Sequence, residues 1–388
     1  MRHYFYPLVN EVKNYPWGSY SALNQRFKIP NPDDQPQAEL WMGVHPAGIS
    51  QVGDEDGSCS LAELIAGDKT AMLGRRIAEQ FGDLPYLLKI LAAERALSIQ
   101  VHPQKAQAQA GFHRQQNNPP DYNDDNHKPE LVYAITPFMA MNGFRQPTEI
   151  VRNFKKLNIS SLEAVLNLLA LHPCAETMQA FFVTLMQLPQ DEKQKALTRL
   201  LDEAEALYDA NLASFIFRLR QHYPDDIGLF APLFLNSLTL QPGEAMFLSP
   251  GTLHAYVQGV AVEVMASSDN VLRAGLTDKN INLAELVACT VFEPISEEQL
   301  RMAPAKHAGW QHYDVPVEDF CFDVYSEANN LAIQTTSAEI VLVIDGHAVL
   351  EHASGKILTL YAGKSAFIPA STRDWTLSIT GTLCRVYA

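Results

Sequence analysis

The 388-residue chain has few cysteines and no long apolar run. The cysteines are an odd set without CxxC spacing: Cys59, Cys174, Cys289, Cys321 and Cys384. Such a set predicts reduced thiols and argues against a zinc ion held by sulfur. No stretch approaches the roughly 20 apolar residues that span a bilayer, and residues 1–20 lack the apolar segment and cleavage site of a secretory signal. We therefore expect a cytoplasmic protein.

Positive charge is also scarce in this chain. Lysine and arginine number 29 against 44 acidic residues, which gives a formal net charge of −15. This balance disfavours nucleic acid and anionic membranes as main partners. The chain is long enough for two or three domains, and its 47% hydrophobic content is globular. We expect a monomer that binds a small molecule, in which any basic pocket is a local exception.

The periodicity of apolar residues changes twice along the chain. Strand signals prevail up to about residue 145, as in "AELWMGVHP", and return at "LFLNSLTL". Between them, apolar residues recur at helical spacing across 197–208, and Ser160 with Glu163 fits a capping box. The sequence predicts a mainly β protein with an all-helical insertion. The predicted domains are 1–146 plus 229–305, then the insertion 147–228, and a C-terminal unit 306–388.

Two segments of the chain share a pattern. "PGEAMFLSPGTLHAY" (242–256) and "AGKSAFIPASTRDW" (362–375) both carry a glycine, an apolar entry into a strand, and a proline. The second copy lacks the histidine. Although His347 and His352 precede it, we expect two related barrels of which only the first binds a metal.

Two further features lie in the N-terminal part. The strand "LPYLLKIL" is apolar except for Lys89, whose charge requires a buried partner. The polar segment 103–127 contains Pro119 and Pro120, and its length is typical of a functional lid or a disordered loop. We favour a lid, and we interpret Trp17 and Trp41 as structural residues.

"LSIQVHP" (97–103) reads as a strand with one polar face. Residues two apart in a strand point to the same side, so Ser98, Gln100 and His102 share a surface. A second imidazole, His254, lies in "LHAYVQGVAVEV". If Gln258 and Gly259 form a two-residue hairpin loop, His254 lies opposite Glu263.

A carboxylate completes the set. Glu130 begins an apolar strand after "NHKP". Alone it is more often a solvated charge, but Gln100, His102, Glu130 and His254 together form a nitrogen and oxygen set suited to a borderline divalent metal. Zinc accepts such a set and leaves a position for water or substrate.

The chain resembles the type I mannose-6-phosphate isomerases (phosphomannose isomerases) of the bacterial kind in "YPWGS", "AELWMGVHP", "LSIQVHP", "NHKPELVYAITPF", "LHAY" and "EVMASSDNVLRAGLTDK". "PGTLH" also resembles the second motif of the cupin barrels. The resemblance implies two cupin-like jelly-roll barrels, one zinc per chain held by the four residues above, and interconversion of mannose 6-phosphate and fructose 6-phosphate.

The resemblance also implies the roles of the pocket residues. The family's catalytic arginine falls on Arg273, and Lys128, Glu263 and Lys279 match other polar positions, with His127 adjoining them. We assign Lys279 and Ser98 to substrate binding and His127 to ring opening, and leave Lys128 and Glu263 open as the base of an enediol proton transfer.

Two other functions remain as alternatives: an iron-dependent cupin oxygenase, and a phosphosugar-binding protein without turnover. For Arg273, the competing interpretation is an ion pair with a carboxylate such as Asp269.

Overall fold

The computed structural model of the protein describes residues 4–54, 57–114 and 121–388. In the N-terminal part the strands are β1 (Tyr6–Val9), β2 (Glu11–Lys13), β3 (Glu39–Met42), β4 (Gln51–Asp54), β5 (Gly57–Ser60), β6 (Tyr86–Ala93), β7 (Ile99–Val101), β8 (Glu130–Ala134) and β9 (Phe138–Phe144). The helices there are α1 (Ala22–Phe27), α2 (Leu61–Gly67), α3 (Lys69–Leu73), α4 (Arg75–Gln80) and α5 (Lys105–Arg114).

Helices then replace strands, as the periodicity predicts. They are α6 (Pro147–Lys155), α7 (Ser160–Leu171), α8 (Ala175–Met186), α9 (Gln190–Leu207), α10 (Ala210–Arg220) and the short α11 (Ala231–Phe234). Leu197, Leu200 and Ala204 of α9 are buried in the core that these helices share. The predicted capping box of α7 is wrong. Ile159 precedes the helix without a side-chain cap, and Ser161 bonds to Glu192 of α9 instead.

The C-terminal part returns to strands. They are β10 (Leu235–Leu240), β11 (Ala245–Leu248), β12 (His254–Ala266), β13 (Leu272–Gly275), β14 (Ala305–His307), β15 (Trp310–Tyr313), β16 (Cys321–Ser326), β17 (Leu331–Gln334), β18 (Glu339–His352), β19 (Ile357–Tyr361), β20 (Ser365–Ile368) and β21 (Asp374–Tyr387), with α12 (Leu283–Cys289) between β13 and β14. The predicted mainly β fold with a helical insertion is confirmed.

The strands form two large sheets. The first sheet runs β10-β9-β12-β6-β3-β2 and also contains β7, β8, β11 and β13. The second sheet runs β14-β15-β16-β21-β18-β20-β1-β4-β5, with β17 on β21 and β19 on β18. A shared apolar core joins them, in which Ile90 and Val262 of the first sheet pack with Ile340 and Val386 of the second.

The N-terminal strand β1 belongs to the second sheet, which is formed mainly by the end of the chain. β1 pairs with β20 through Tyr6 and Phe367, and with β4 through Leu8 and Val52. Strands from the start of the chain therefore extend the sheet formed by its end. The predicted domain boundaries stay a prediction. β1, β4 and β5 lie within the predicted first domain but belong to the second sheet.

The predicted hairpin at Gln258 and Gly259 is wrong. β12 runs through this point as one strand, and its pairing with β9 shifts by one residue between Tyr256 and Gln258. Such a bulge flips the faces of the residues that follow, so Tyr256 and Ala261 pack in the same core cluster. Gly259 has φ 128°, and a Cβ there would lie 2.6 Å from the Pro137 carbonyl oxygen. A side chain at this position is excluded by that close approach.

The segment predicted as a lid is partly helical. α5 occupies residues 105–114, while Pro119 and Pro120 lie outside the described residues. Residues 123–126 are hydrogen-bonded to residues 267–270, as in the bonds from Asn123 to Asn270 and from Asn126 to Ser267. This part of the segment is therefore fixed against the turn that precedes β13.

Candidate metal centre

Three potential metal ligands lie at strand ends of the first sheet. His102 follows β7, Glu130 begins β8 and His254 begins β12. β12 brings the strands together, since it pairs with β7 at Gln100 and with β8 along its second half. The three side chains are at most 2% exposed. The fold thus gathers residues from distant parts of the chain at one buried point.

The potential ligand atoms of these three residues lie within 4.8 Å of one another. His102 Nε2 is 3.2 Å from Glu130 Oε1, and His254 Nε2 is 3.4 Å from Glu130 Oε2. Among the described residues, they form the one group of three histidine, cysteine or acidic side chains arranged to hold an ion.

Hydrogen bonds orient both imidazoles. His102 Nδ1 lies 2.6 Å from the Asn270 carbonyl oxygen, and His254 Nδ1 lies 2.9 Å from that of Thr252. A carbonyl only accepts, so in each neutral ring Nδ1 carries the proton and Nε2 presents a lone pair. This is the tautomer in which metal-binding histidines are normally held.

In this tautomer, the Nε2 atoms of both histidines are hydrogen-bond acceptors that face the acceptor oxygens of Glu130. The Nε2 lone pairs point towards the Glu130 carboxylate, and His102 Nε2 has no hydrogen-bond partner among the described residues. Burial lowers the pKa of His102 to about 4, with the nearby Lys128 acting in the same direction, so a proton does not fill this gap at neutral pH. A divalent cation between the three groups satisfies all of them, and zinc fits this donor set.

Gln100 adjoins this group, but its amide nitrogen and not its oxygen faces His254. Its Nε2 lies 3.4 Å from His254 Nε2. The amide oxygen would have to face the ion for Gln100 to be a ligand, which a half-turn of the amide achieves. Its role as fourth ligand stays a prediction.

Further polar groups surround Glu130. Lys128 Nζ is 3.1 Å from Oε1, and the Tyr256 hydroxyl donates to Oε2 at 2.8 Å. Burial alone would raise the pKa of Glu130, but the charge of Lys128 and the contacts with His102 outweigh it and hold the pKa well below its usual range. The carboxylate is therefore charged and ready to bind a cation.

Lys89 finds its buried partners here, as its position in an apolar strand predicts. Its Nζ lies 3.0 Å from Glu263 Oε2 and 3.4 Å from Glu39 Oε1, and Glu39 accepts from the Trp41 indole. Burial lowers the pKa of Lys89, but the two carboxylates outweigh it and raise the pKa, so the ammonium stays charged. Burial raises the pKa of Glu263, although Lys89 opposes this.

A cavity of about 510 Å³ opens beside the cluster. Ser98, Gln100, Arg273 and Lys279 line it, and Arg95 adds a third cation. Arg273 lies against Gln100 because β13 pairs with β7 there. The proximity of Arg273 and partial burial lower the pKa of Lys279. The predicted substrate residues Ser98 and Lys279 thus meet in one basic pocket of an acidic protein.

Arg273 itself makes no ion pair with any described residue. Asp269, the competing partner considered above, lies 3.2 Å from His45 Nε2 instead. Burial without a compensating carboxylate lowers the pKa of the Arg273 guanidinium. The group is positioned for an anion that the described part of the protein does not supply.

His127 has a different neighbour. Its Nε2 lies 3.0 and 3.1 Å from the two oxygens of Asp319, in the loop before β16. Phe320, next to Asp319, is fully buried in the core between the two sheets. The C-terminal part of the chain therefore fixes the orientation of this histidine.

Sequence reasoning missed several residues of the site. Tyr256 could have been found, because it lies two positions after His254 on the same strand. His45 and Trp41 share a face in "AELWMGVHP", and their rings pack edge to face at 5.0 Å. The role of Asn270 had no local signal, because it depends on contacts with residues more than 140 positions away.

Comparison with known families agrees with this geometry. The catalytic-domain model of type I phosphomannose isomerase matches residues 5–147, the helical insertion domain of the same family matches 154–235, and a mannose-6-phosphate isomerase cupin domain matches 311–388.

Curated relatives match along the whole chain. Mannose-6-phosphate isomerase from Salmonella typhimurium is 44% identical over 393 residues, covering 98% of each protein. The Escherichia coli enzyme is 43% identical, also covering 98% of each, and the human enzyme is 35% identical, covering 89% of this chain and 88% of its own.

Solved structures agree as well. A phosphomannose isomerase variant from Salmonella typhimurium superimposes with a TM-score of 0.94 at 43% identity, covering 99% of both chains. A zinc-bound mannose 6-phosphate isomerase gives a TM-score of 0.93 at 42% identity with the same coverage. In the described part of this chain, no helix is both long and apolar enough to cross a membrane.

Proposed function

Because the chain belongs to the type I phosphomannose isomerase family, we propose that the buried cluster described above is the active site at which it interconverts mannose 6-phosphate and fructose 6-phosphate. The enzyme is a zinc-dependent aldose–ketose isomerase that moves a proton between C1 and C2 through an enediol. The sequence-based identification of the family, the mainly β fold with a cupin domain, and the zinc cofactor are confirmed.

We assign zinc binding to His102, Glu130 and His254, with Gln100 as the fourth ligand after rotation of its amide. The zinc supplies a Lewis acid that orients the sugar oxygens. Two features support this assignment: the imidazole tautomers set by Asn270 and Thr252, and the unpartnered His102 Nε2.

The basic cavity takes the anionic part of the substrate. Arg273 and Lys279 line it together with Ser98, and Arg273 has no carboxylate partner among the described residues. A guanidinium is always charged and presents a planar fork of donors, which suits a phosphate or an enediolate. We propose that Arg273 stabilises the charge that develops on the enediolate, and that Lys279 and Ser98 bind substrate.

Lys128 is the stronger candidate for the proton-transfer group. It is buried and lies 3.1 Å from Glu130, so it reaches the same point as the ligands. Glu263 is held by Lys89, which makes it a counter-charge for a buried ammonium. Lys128→Met should abolish exchange of the substrate C1/C2 proton with solvent, while Glu263→Gln should retain exchange at a reduced rate. The reverse pattern would assign the base to Glu263.

For His127 we propose a part in opening the sugar ring. The contact with Asp319 fixes Nε2, so in this arrangement Nδ1 is the ring atom left for substrate. His127→Gln should therefore slow turnover of the cyclic sugar more than proton exchange of the open-chain form.

The tautomer pair with its unpartnered Nε2 carries the proposal, and a coupled assay tests it. Formation of fructose 6-phosphate from mannose 6-phosphate should stop after treatment with a chelator and return on addition of zinc. Full turnover by protein shown by metal analysis to be zinc-free would contradict the proposal. Oxygen consumption with a redox-active metal would favour the oxygenase alternative.

Localisation and assembly remain proposals. All five cysteines are free, which suits the reducing cytoplasm. We also propose that the protein acts as a monomer without nucleic-acid or membrane partners, which its net charge of −15 favours.

A further inference from the structure

A single asparagine joins the metal ligands to the segment that precedes one of them. Asn270 lies in the turn before β13 and is 0% exposed. Its backbone carbonyl accepts from His102 Nδ1 at 2.6 Å. Its side chain holds residues 123–126.

Both polar atoms of the Asn270 side chain form hydrogen bonds with residues 123–126. Asn270 Nδ2 donates to the carbonyl oxygens of Asp124 and Asn126, both at 2.8 Å, and to Asp124 Oδ1 at 3.1 Å. Asn270 Oδ1 accepts from the backbone N–H of Asn123 at 2.7 Å and from that of Asp124 at 3.3 Å. Only an amide offers donors and an acceptor in this pattern, because a carboxylate has no proton to give.

The clamped segment leads directly to the site. Three residues separate Asn126 from Glu130, and among them are Lys128 and the conformationally restricted Pro129. The position of Asn126 therefore limits where Lys128 and Glu130 lie. One buried residue acts on two of the ligands, on His102 through its backbone carbonyl and on Glu130 through the segment that its side chain binds.

We infer that Asn270 is a positioning residue of the metal centre: its side chain fixes the turn, whose backbone carbonyl orients His102, against the segment that leads to Glu130, and this geometry sets the affinity for zinc. The inference rests on the proposed role of these residues as ligands. Groups that orient metal ligands typically change affinity 10- to 100-fold when replaced.

Asn270→Asp tests the inference at nearly constant volume. It removes the donors to both carbonyls and places a carboxylate beside that of Asp124. Zinc affinity is measured on metal-free protein by competition with a chelating dye, and we expect it to fall about 10- to 100-fold. The absorption spectrum of the cobalt-substituted protein should also change, because it reports coordination geometry.

Asn31→Asp is the matched control. The Asn31 side chain also stabilises a loop by hydrogen bonds. Its Nδ2 donates to the carbonyls of Tyr20 and Gln35, and its Oδ1 accepts from the Gln35 N–H. Its loss should lower thermal stability and leave zinc affinity within about twofold of the wild type. A purely structural role of Asn270 predicts the same result for Asn270→Asp, and that result would overturn the inference.

Two more variants separate the possible failures. If Asn270→Asp does not fold, Asp124→Asn removes the charge of an acceptor that Asn270 shares with Ser268 and the Asp269 N–H, and unchanged zinc affinity in that variant counts against the inference. His102→Ala tests the proposed site itself. Wild-type zinc affinity in His102→Ala would refute the metal assignment, whereas loss there with none in Asn270→Asp would refute only the positioning role.

Discussion

The two sheets each bury a polar cluster, and the clusters differ in whether a side-chain cation occupies the centre. In the first sheet, His102 Nε2 and His254 Nε2 face the Glu130 carboxylate, and Lys128 lies to one side of it. In the second, Arg385 lies between Glu339 and Asp323, which are at most 1% exposed. Its Nε donates to Glu339 at 2.8 Å, and Nη1 lies 3.4 Å from Asp323.

In the second cluster, Arg385 and Asp323 have further hydrogen-bond partners among the described residues. Arg385 also donates to the Gln334 carbonyl at 3.1 Å and stacks on Tyr387, while Asp323 accepts from His312 and Tyr325. A guanidinium fork fills the centre of the second cluster, where we propose a zinc ion for the first. One architecture thus holds a proposed catalytic centre in one sheet and a network of ion pairs in the other. Substitutions in each cluster test that difference.

Removal of a metal ligand should have the largest effect. His254→Ala takes away one of the four proposed zinc ligands, so we expect loss of bound zinc and a fall in kcat/KM of at least about 1,000-fold. Metal analysis and the coupled assay measure both. His347→Ala removes an exposed histidine of the second sheet and should change neither. Retention of one zinc per chain by His254→Ala would contradict the assignment.

The two arginines Arg273 and Arg385 provide the next test. Arg273 has no ion pair among the described residues, while Arg385 has two. Arg273→Lys keeps the charge and loses the planar fork, so kcat should fall about 100- to 1,000-fold with zinc content and melting temperature unchanged. A variant with near-normal kcat but a lower melting temperature would remove Arg273 from the catalytic residues.

Arg385→Met should produce the opposite pattern. It leaves two buried carboxylates without a cation, and breaking such a group costs about 3–5 kcal/mol of unfolding free energy. Folded protein should still bind one zinc per chain and turn over normally. Adding Glu339→Gln to the variant should recover part of the stability. A metal ion bound tightly in the second sheet of wild-type protein would break the comparison, because we expect none there.

The comparison also shows what could be predicted from the sequence. Gln100 with His102, and Lys128 with Glu130, lie two residues apart within short extended segments, so local periodicity places each pair. The repeat without histidine led us to expect a second barrel without a metal, which stays a prediction, and it could not reveal Arg385. That residue meets Glu339 and Asp323 only through strand pairing over 46 and 62 positions.

Errors arose where tertiary contacts override local patterns. Gln258 and Gly259 have the composition of a hairpin turn, yet the strand continues because β9 and β6 pair with its two halves. The bulge brings Glu263 to the side of the strand that carries Tyr256. Likewise, α5 forms in a segment whose polar composition suggested a loop, and Gln107 and Arg114 attach it to α12.

The smallest effect concerns an acid at the edge of the first cluster. Asp269 is 55% exposed, whereas Asp323 of the second cluster is 1% exposed. The hydrogen bond from His45 lowers the pKa of Asp269. The Ala47 N–H donates to His45 Nδ1 at 3.3 Å, so Nε2 carries the proton that Asp269 accepts.

His45→Phe keeps an aromatic ring against Trp41 and removes the donor, so the pKa of Asp269 should rise towards its unperturbed value of about 3.9. A depressed carboxyl pKa contributes stability above the unfolded pKa, and this stability is lost as the pH falls through the folded pKa. At pH 7 the metal-free variant should therefore have a lower free energy of unfolding than metal-free wild type. Because the pair is exposed, we expect the loss to be at most about 1 kcal/mol, and it should shrink below about pH 4. In an Asp269→Asn background the same substitution should show no such pH dependence. A melting difference that stays constant from pH 7 to pH 3 would mean that His45 acts by packing on Trp41 and not through the carboxylate.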